Sequence, residues 1–382
     1  MPTISTLNGT TFPHLIQMAL KKGNIPVVKR SHPNLGTDTF QLTNGKNLSV
    51  SLPVTLTPYA SAKACSARCQ FCSENLREDS RAPLTSSQLR PTDSYFSHLQ
   101  NALDTLINVP FGISLSGLEA TDDEEWFLEL LNVLRQHERN NNVKFPEKIL
   151  YSNGSGFSEQ SSRPKILASL RSFGIHRIEF SRHSHMQEEN DRIMRFRPNH
   201  KAASNQAFIE AVSIVAKEFN TKLVCIPQHG GIDTLEKLEA YLEWSFEAGI
   251  KDVVVREFSL LANSYTQNRT EKYISRNRVD IVSLMDNSGL LNNAKKEWQI
   301  KTSTLGYYFW NITYVWKGKM QVTFESADYS IMNKLHNSNN VYKLIFHANG
   351  NLTADWSPFK RLILAPNQEE ILTPVKVLEM HR

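Results

Sequence analysis

Three of the four cysteines of this chain fall within eight residues, as Cys65-Ser-Ala-Arg-Cys69-Gln-Phe-Cys72. Thiolates are soft ligands, and three on one short loop close around a single inorganic centre at little cost in chain entropy. A [4Fe–4S] cluster that only carries electrons takes four cysteines, so three leave one iron open to a further ligand. The fourth, Cys225, stands alone in an apolar run and reads as a small hydrophobe. Zinc is the competing occupant of the loop, although structural zinc favours four protein ligands, with a second cysteine pair further along, and no such pair is present. An odd trio in a chain that starts Met1-Pro-Thr-Ile-Ser, with neither the basic nor the apolar half of a secretory signal, does not suit a disulfide framework. A reducing, cytoplasmic setting is therefore expected.

The elements that must position this loop follow from the hydrophobic pattern. With 382 residues and 40% hydrophobic content, the chain is long enough for one large domain and a smaller one. It has no apolar run of membrane-spanning length, so no membrane association is expected. A net charge of +5 from scattered Lys and Arg admits an anionic substrate without indicating a nucleic-acid binder. Residues 1–47 read as a polar packing arm with one short helix at 12–21. From 48 to 285, apolar β runs alternate with amphipathic helical windows, which argues for βα units and a parallel sheet. The strands are expected at 48–56, 111–115, 148–151, 176–180, 222–226 and 251–255. The cysteines follow the first, and Thr121-Asp-Asp-Glu124 reads as a capping box ahead of a helix. All six exits fall on the carboxyl rim of the sheet, where barrel folds keep their chemistry. The fold class expected is α/β, a partial (β/α)6 TIM-like barrel with a small β-rich C-terminal domain over 286–382.

Cys-x-x-x-Cys-x-Phe-Cys, with Phe71 before the last cysteine, resembles the signature of the radical S-adenosylmethionine (SAM) superfamily. That resemblance implies a [4Fe–4S] cluster on Cys65, Cys69 and Cys72 with SAM on the open iron. It implies one-electron cleavage of SAM to a 5′-deoxyadenosyl radical that takes hydrogen from substrate, with electrons from flavodoxin or ferredoxin. It also implies SAM contacts at the exits: Ser116, Gly117 and Glu119 resemble a Gly-Gly-Glu-Pro segment, Asn153 a Thr-Asn-Gly exit, and Ser181 and Arg195 the groups that meet the carboxylate or ribose. His183, His229 and Glu257 are candidate acid–base groups, and His185 and Arg256 candidate substrate contacts.

Beyond 286 the order of elements resembles the carboxyl-terminal part of the GTP 3′,8-cyclase of molybdenum cofactor biosynthesis. It runs from Gly306-Tyr-Tyr through Phe324-Glu-Ser to an apolar strand ending in a hairpin at Asn349-Gly350. The cysteines of that family's second cluster are missing here, and Asp355-Trp356 falls near the last of them. Glu325, Asp328, Asp355 and Trp356 are accordingly expected to line a pocket at the barrel mouth for a small organic substrate. Modification of a peptide side chain is the alternative within the same chemistry. A non-catalytic zinc or iron–sulfur protein is the alternative outside it.

Overall fold

The computed structural model describes residues 11–25, 27–29, 36–76, 91–261 and 268–366. The chain begins with α1 (His14–Lys22), β1 (Val27–Lys29), β2 (Gly36–Gln41) and β3 (Asn47–Leu52). Six strands then alternate with helices: β4 (Val54–Pro58), α2 (Tyr95–Thr105), β5 (Phe111–Leu115), α3 (Glu124–Asn141), β6 (Lys148–Ser152), α4 (Ser155–Ser158), α5 (Arg163–Phe173), β7 (Arg177–Ser181), α6 (Gln187–Met194), α7 (Asn205–Ala216), β8 (Thr221–Cys225), α8 (Leu235–Glu247) and β9 (Asp252–Arg256). After α9 (Arg269–Asn277) and α10 (Ile281–Asn287) come β10 (Trp298–Leu305), β11 (Phe309–Trp316), β12 (Met320–Ala327), α11 (Tyr329–His336), β13 (Leu344–Phe346), β14 (Leu352–Thr353) and β15 (Leu362–Leu364).

Strands β4 to β9 lie side by side in sequence order, and every neighbouring pair is parallel. Crossovers of one hand advancing one strand at a time put all the helices on one face and curl the sheet into part of a barrel. Alternation along each strand separates two surfaces. Ile113, Leu115, Leu150, Ile178, Phe180, Leu223, Cys225, Val253 and Val255 belong to the single large apolar cluster between sheet and helices. The opposite, concave face carries the charged and polar residues Ser114, Tyr151, Arg177, Glu179, Lys222, Asp252 and Arg256, interspersed with Ile149, Val224 and Val254.

Two expectations are corrected. The run 48–56 is not one strand but two: Pro53 cannot donate to a ladder, and the chain divides there into β3, which forms a separate hairpin with β2, and β4, the first barrel strand. The Thr121–Glu124 pattern is not a capping box, because the Thr121 hydroxyl donates to Glu119 and α3 starts behind Asp123 with no side-chain cap bond.

The C-terminal β strands are present, and they are hydrogen-bonded into the barrel sheet at both edges. β12 adds in parallel to β9, and β13 in parallel to β4. Helix α11 carries the chain from one edge to the other. The Asn349-Gly350 hairpin forms as expected, pairing β13 with β14, and Gly350 takes a positive φ of 80°. The N-terminal arm joins the same core through Phe12, Ile16 and Leu20. Among the described residues, no helix is long and apolar enough to cross a membrane.

Candidate active site at the carboxyl rim

The cysteine loop leaves the carboxyl end of β4 and is held at several points. Arg68 N–H donates to the Met194 carbonyl at 2.9 Å, Arg197 N–H to the Ser66 carbonyl at 3.0 Å, and the Arg197 guanidinium to the Ala64 carbonyl at 2.9 Å. Ser66 N–H donates to the Asp122 carboxylate at 2.6 Å. On the far side, Phe71 packs with Leu76, Phe258, Ile226, Leu261, Ile274 and Tyr273, a second small apolar cluster that clamps the loop against the exits of β8 and β9. Asp122, Ser66 and Arg197 escape the motif reading because they act on the backbone of the loop. Their only sequence signal is a polar residue beside an exit.

Burial pushes all three thiols up: Cys69 to about 12, Cys65 well above its ordinary value and Cys72 likewise. The prospective charge of Cys69 adds to the shift at both Cys65 and Cys72. The leading causes are burial at all three and neighbouring negative charge at Cys65 and Cys72. Three neighbouring thiols of this kind ionise together only if a cationic, thiophilic centre shares the loop, and this donor set fits an iron–sulfur cluster held at three corners. Among the described residues no three His, Cys, Asp or Glu side chains already form a closed metal-holding group. What is set is the backbone of the loop.

The exits of β5 and β6 are tied together by Glu119, which is 3% exposed. Its Oε1 accepts from Thr121 N–H at 3.1 Å, Thr121 Oγ1 at 2.5 Å and Ser152 Oγ at 2.8 Å, and its Oε2 accepts a short bond from Asn153 N–H. A carboxylate has about four lone-pair sites, and this one receives four protein donors. Burial and the nearby Asp122 charge raise its pKa to about 7. Asn153, in turn, points Nδ2 at Cys65 Sγ, 3.6 Å away, and accepts from Ser155 N–H at 3.0 Å. Gly154 follows at φ 90°, where a Cβ would lie 2.7 Å from the Phe208 ring. Only glycine fits that turn.

A pocket opens between the β4 exit, the cysteine loop, the β5 exit and β13. Its walls are Thr57 to Ala60, Glu74, Ser116 to Leu118, Ile345 to His347, and Trp356. Three of the residues expected to meet SAM or substrate, Ser116, Gly117 and Trp356, thus share one cavity. Tyr59, Glu74, Thr57 and His347 were not anticipated. β13 is legible as the apolar strand before the Asn349-Gly350 hairpin, but only its docking beside β4 brings it to the pocket.

Other expected site residues are engaged elsewhere. Arg256 bonds Glu325 at 2.6 Å and lies 3.6 Å from Glu179, which also pairs with Arg177 at 2.8 Å. Burial works against the Arg256 charge, but the two carboxylates outweigh it and keep it cationic. This ladder lines the barrel interior across β7, β9 and β12. Glu257 is buried, taking bonds from Arg278 at 2.7 Å and Ser326 at 2.5 Å, so no lone acid or base is offered there. Asp328 caps α11 through bonds from Ser330 and Ile331, and Asp355 closes a turn by accepting from Ser357 N–H at 2.7 Å. His229 and Arg195 present exposed side chains. Arg195 contributes its carbonyl, which accepts from Arg68 N–H at 3.2 Å. Ser181 ends β7 half-buried on the concave rim. His185 Nδ1 is buried without a partner.

His183 is 2% exposed, its Nδ1 accepts from Ile226 N–H at 3.1 Å, and its ring meets Phe71 edge-on at 4.9 Å. An Nδ1 that accepts leaves the ring proton on Nε2. Burial holds His183 and His347 down to about 3, and His336 to about 4. All three are neutral in the fold and titrate in the unfolded chain near 6.5. Below that pH the unfolded state binds more protons, so stability is expected to fall by about 1.4 kcal/mol per pH unit for each histidine, down to about pH 4. Denaturant titrations between pH 8 and 4 check this, and a flat profile below 6.5 would contradict it.

No protein-family model matches the chain, and no curated protein matches it. Among solved structures it is similar to SuiB of Streptococcus suis bound to the precursor peptide SuiA, at 11% identity and a TM-score of 0.48, over 95% of this chain and 66% of that one. It is similar to anSMEcpe with bound AdoMet and Cp18Cys peptide at 16% identity and 0.40, over 53% of this chain and 50% of that one. For TYW1 with a lysine-pyruvate adduct the values are 11% and 0.35, over 76% and 93%. The chain therefore spans two thirds or less of the SuiB and anSMEcpe chains. At these identities and scores no activity carries over from them.

Proposed function

We propose that this chain is a radical SAM enzyme with a single [4Fe–4S] cluster on Cys65, Cys69 and Cys72, acting on a small organic substrate in the cytoplasm. When bound, the cluster and SAM supply a one-electron cleavage to methionine and a 5′-deoxyadenosyl radical that takes hydrogen from substrate, the electron coming from a donor such as flavodoxin or ferredoxin. One observation carries the reading: a three-thiol loop, pinned at the carboxyl rim of six parallel strands, forms one wall of a pocket through Glu74, two residues past Cys72. The chain's own part is positioning. Asp122 and Arg197 hold the loop backbone, Asn153 donates toward Cys65 Sγ, and Glu119 locks two exits together. Ser116 and Gly117 border the pocket with backbone and hydroxyl, and Gly117, at φ 105°, has no heavy atom within 4 Å of where a Cβ would be. A ligand can approach the main chain there. Trp356 forms a further wall of the pocket, on β13's side.

The test is anaerobic reconstitution with iron and sulfide, followed by dithionite and SAM. Formation of 5′-deoxyadenosine, with about four irons per chain, is the expected result. A colourless protein holding zinc and leaving SAM intact would replace this reading with that of a zinc-binding protein.

A further inference from the structure

We propose that Lys343 anchors an anionic group, a carboxylate or phosphate, of the substrate that enters the rim pocket. This rests on the pocket assigned above and deepens that reading by naming the substrate's chemical class. Lys343 directly precedes β13, and its Nζ sits 4.0 Å from the centroid of the Trp356 ring, a wall of the pocket. A second wall, Glu74, acts on it through its charge. Among the described residues Lys343 makes no hydrogen bond and no ion pair.

Lys343 is half-buried, so its Nζ stays open to a partner that arrives from solvent. Lys148, which is 7% exposed, has its needs met inside the protein, with Nζ donating to Glu138 at 2.7 Å and to the Phe173 carbonyl at 2.8 Å. Lys343 has only an aromatic face. Burial lowers its pKa to about 8, with the Glu74 charge opposing. An anion beside Nζ would restore the missing partner through charge-assisted hydrogen bonds.

A second observation comes from the pocket walls themselves. Thr57 is 5% exposed and His347 is fully buried, both line the cavity, and Thr57 Oγ1 and His347 Nδ1 have no hydrogen-bond partner. The His347 Nε2 already faces Thr353 Oγ1 at 2.8 Å, and Thr353 donates to the Asp355 carbonyl at 2.6 Å, so Nε2 carries the proton and Nδ1 is left as an acceptor. Buried polar groups are ordinarily satisfied. A hydroxyl and a bare acceptor lining the cavity, with a cation stacked on its Trp356 wall, fit an anionic small molecule that also carries a hydroxyl or amine.

SAM has a carboxylate of its own, and the test separates the two sources. The reconstituted protein, with and without saturating SAM, is acetylated at pH 8 with an N-hydroxysuccinimide ester, which takes neutral amines, and modification of Lys343 is read by peptide mass spectrometry. Lys343→Met identifies the peptide. Millimolar inorganic phosphate or acetate, against chloride at equal ionic strength, is expected to slow labelling of Lys343 about fivefold or more in the SAM-saturated protein, because a bound anion raises the amine's pKa by a unit or more. Unchanged labelling with both anions overturns the proposal. Protection by SAM alone, with nothing added by phosphate or acetate, overturns it too and gives the lysine to the cofactor. Because labelling is read without turnover, a protein that fails to cleave SAM still reports on Lys343.

Discussion

Replacing Cys69 with alanine is expected to abolish iron retention and 5′-deoxyadenosine formation while leaving the fold in place. Cys69 is the middle thiol, and its charge is the one felt by both Cys65 and Cys72. Its removal leaves two ligands, too few to hold a cluster with one open iron. The structural cost is small, because the loop is fixed by main-chain bonds and by the Phe71 cluster. The bond from Cys72 N–H to the carbonyl of residue 69, at 3.1 Å, survives the change. Iron is expected to fall from about four per chain to below one, and SAM cleavage by at least about a thousandfold. The denaturation midpoint should move by less than about 1 kcal/mol in equivalent stability. Colorimetric iron, chromatography of the nucleoside and a urea titration measure the three. A variant that keeps its iron and cleaves SAM at the native rate would remove Cys69 from the ligand set.

The second large effect is expected at Glu119, and it is one of folding. Truncation to alanine strips the acceptor from Thr121 N–H, Thr121 Oγ1, Ser152 Oγ and Asn153 N–H in a site closed to water. An unpaired buried donor costs about 1–3 kcal/mol, and the two hydroxyls can turn elsewhere. The net destabilisation is therefore about 4 kcal/mol. Glutamine should not rescue it, since half of its amide presents hydrogens to donors that need an acceptor. Equilibrium denaturation of Glu119→Ala and Glu119→Gln gives the comparison. A loss under about 1 kcal/mol in both would show that the exits of β5 and β6 are held by other contacts.

Much of this architecture was legible in the residues. Strand 111–115 was placed to the residue and five of the six barrel strands to within about a residue, because each is a short β-branched or apolar run between polar punctuation. The first strand was misread across Pro53. Apolar alternation continues smoothly through that position, and only the partner on each side shows that β3 and β4 belong to different sheets. Asp328 and Glu257 illustrate a second kind of loss. An acidic residue at a strand exit has one appearance in sequence whether it caps a helix, pairs with an arginine or meets a substrate. Distances to Ser330 and Arg278 decide between these.

By itself, then, the amino-acid order determined the three-thiol loop, its place after the first strand of a parallel barrel, and the polar exits around it. Ligand spacing and hydrophobic period are local properties. The tertiary structure alone decided that β13 docks beside β4, which brings His347 into the rim pocket and Lys343 against its Trp356 wall from about 280 residues away. It also decided that Glu119 is filled by protein donors, while Lys343, Thr57 Oγ1 and His347 Nδ1 lack partners. Satisfaction of a polar group depends on what the rest of the chain places within about 3 Å of it, and that distance is set only when distant segments pack.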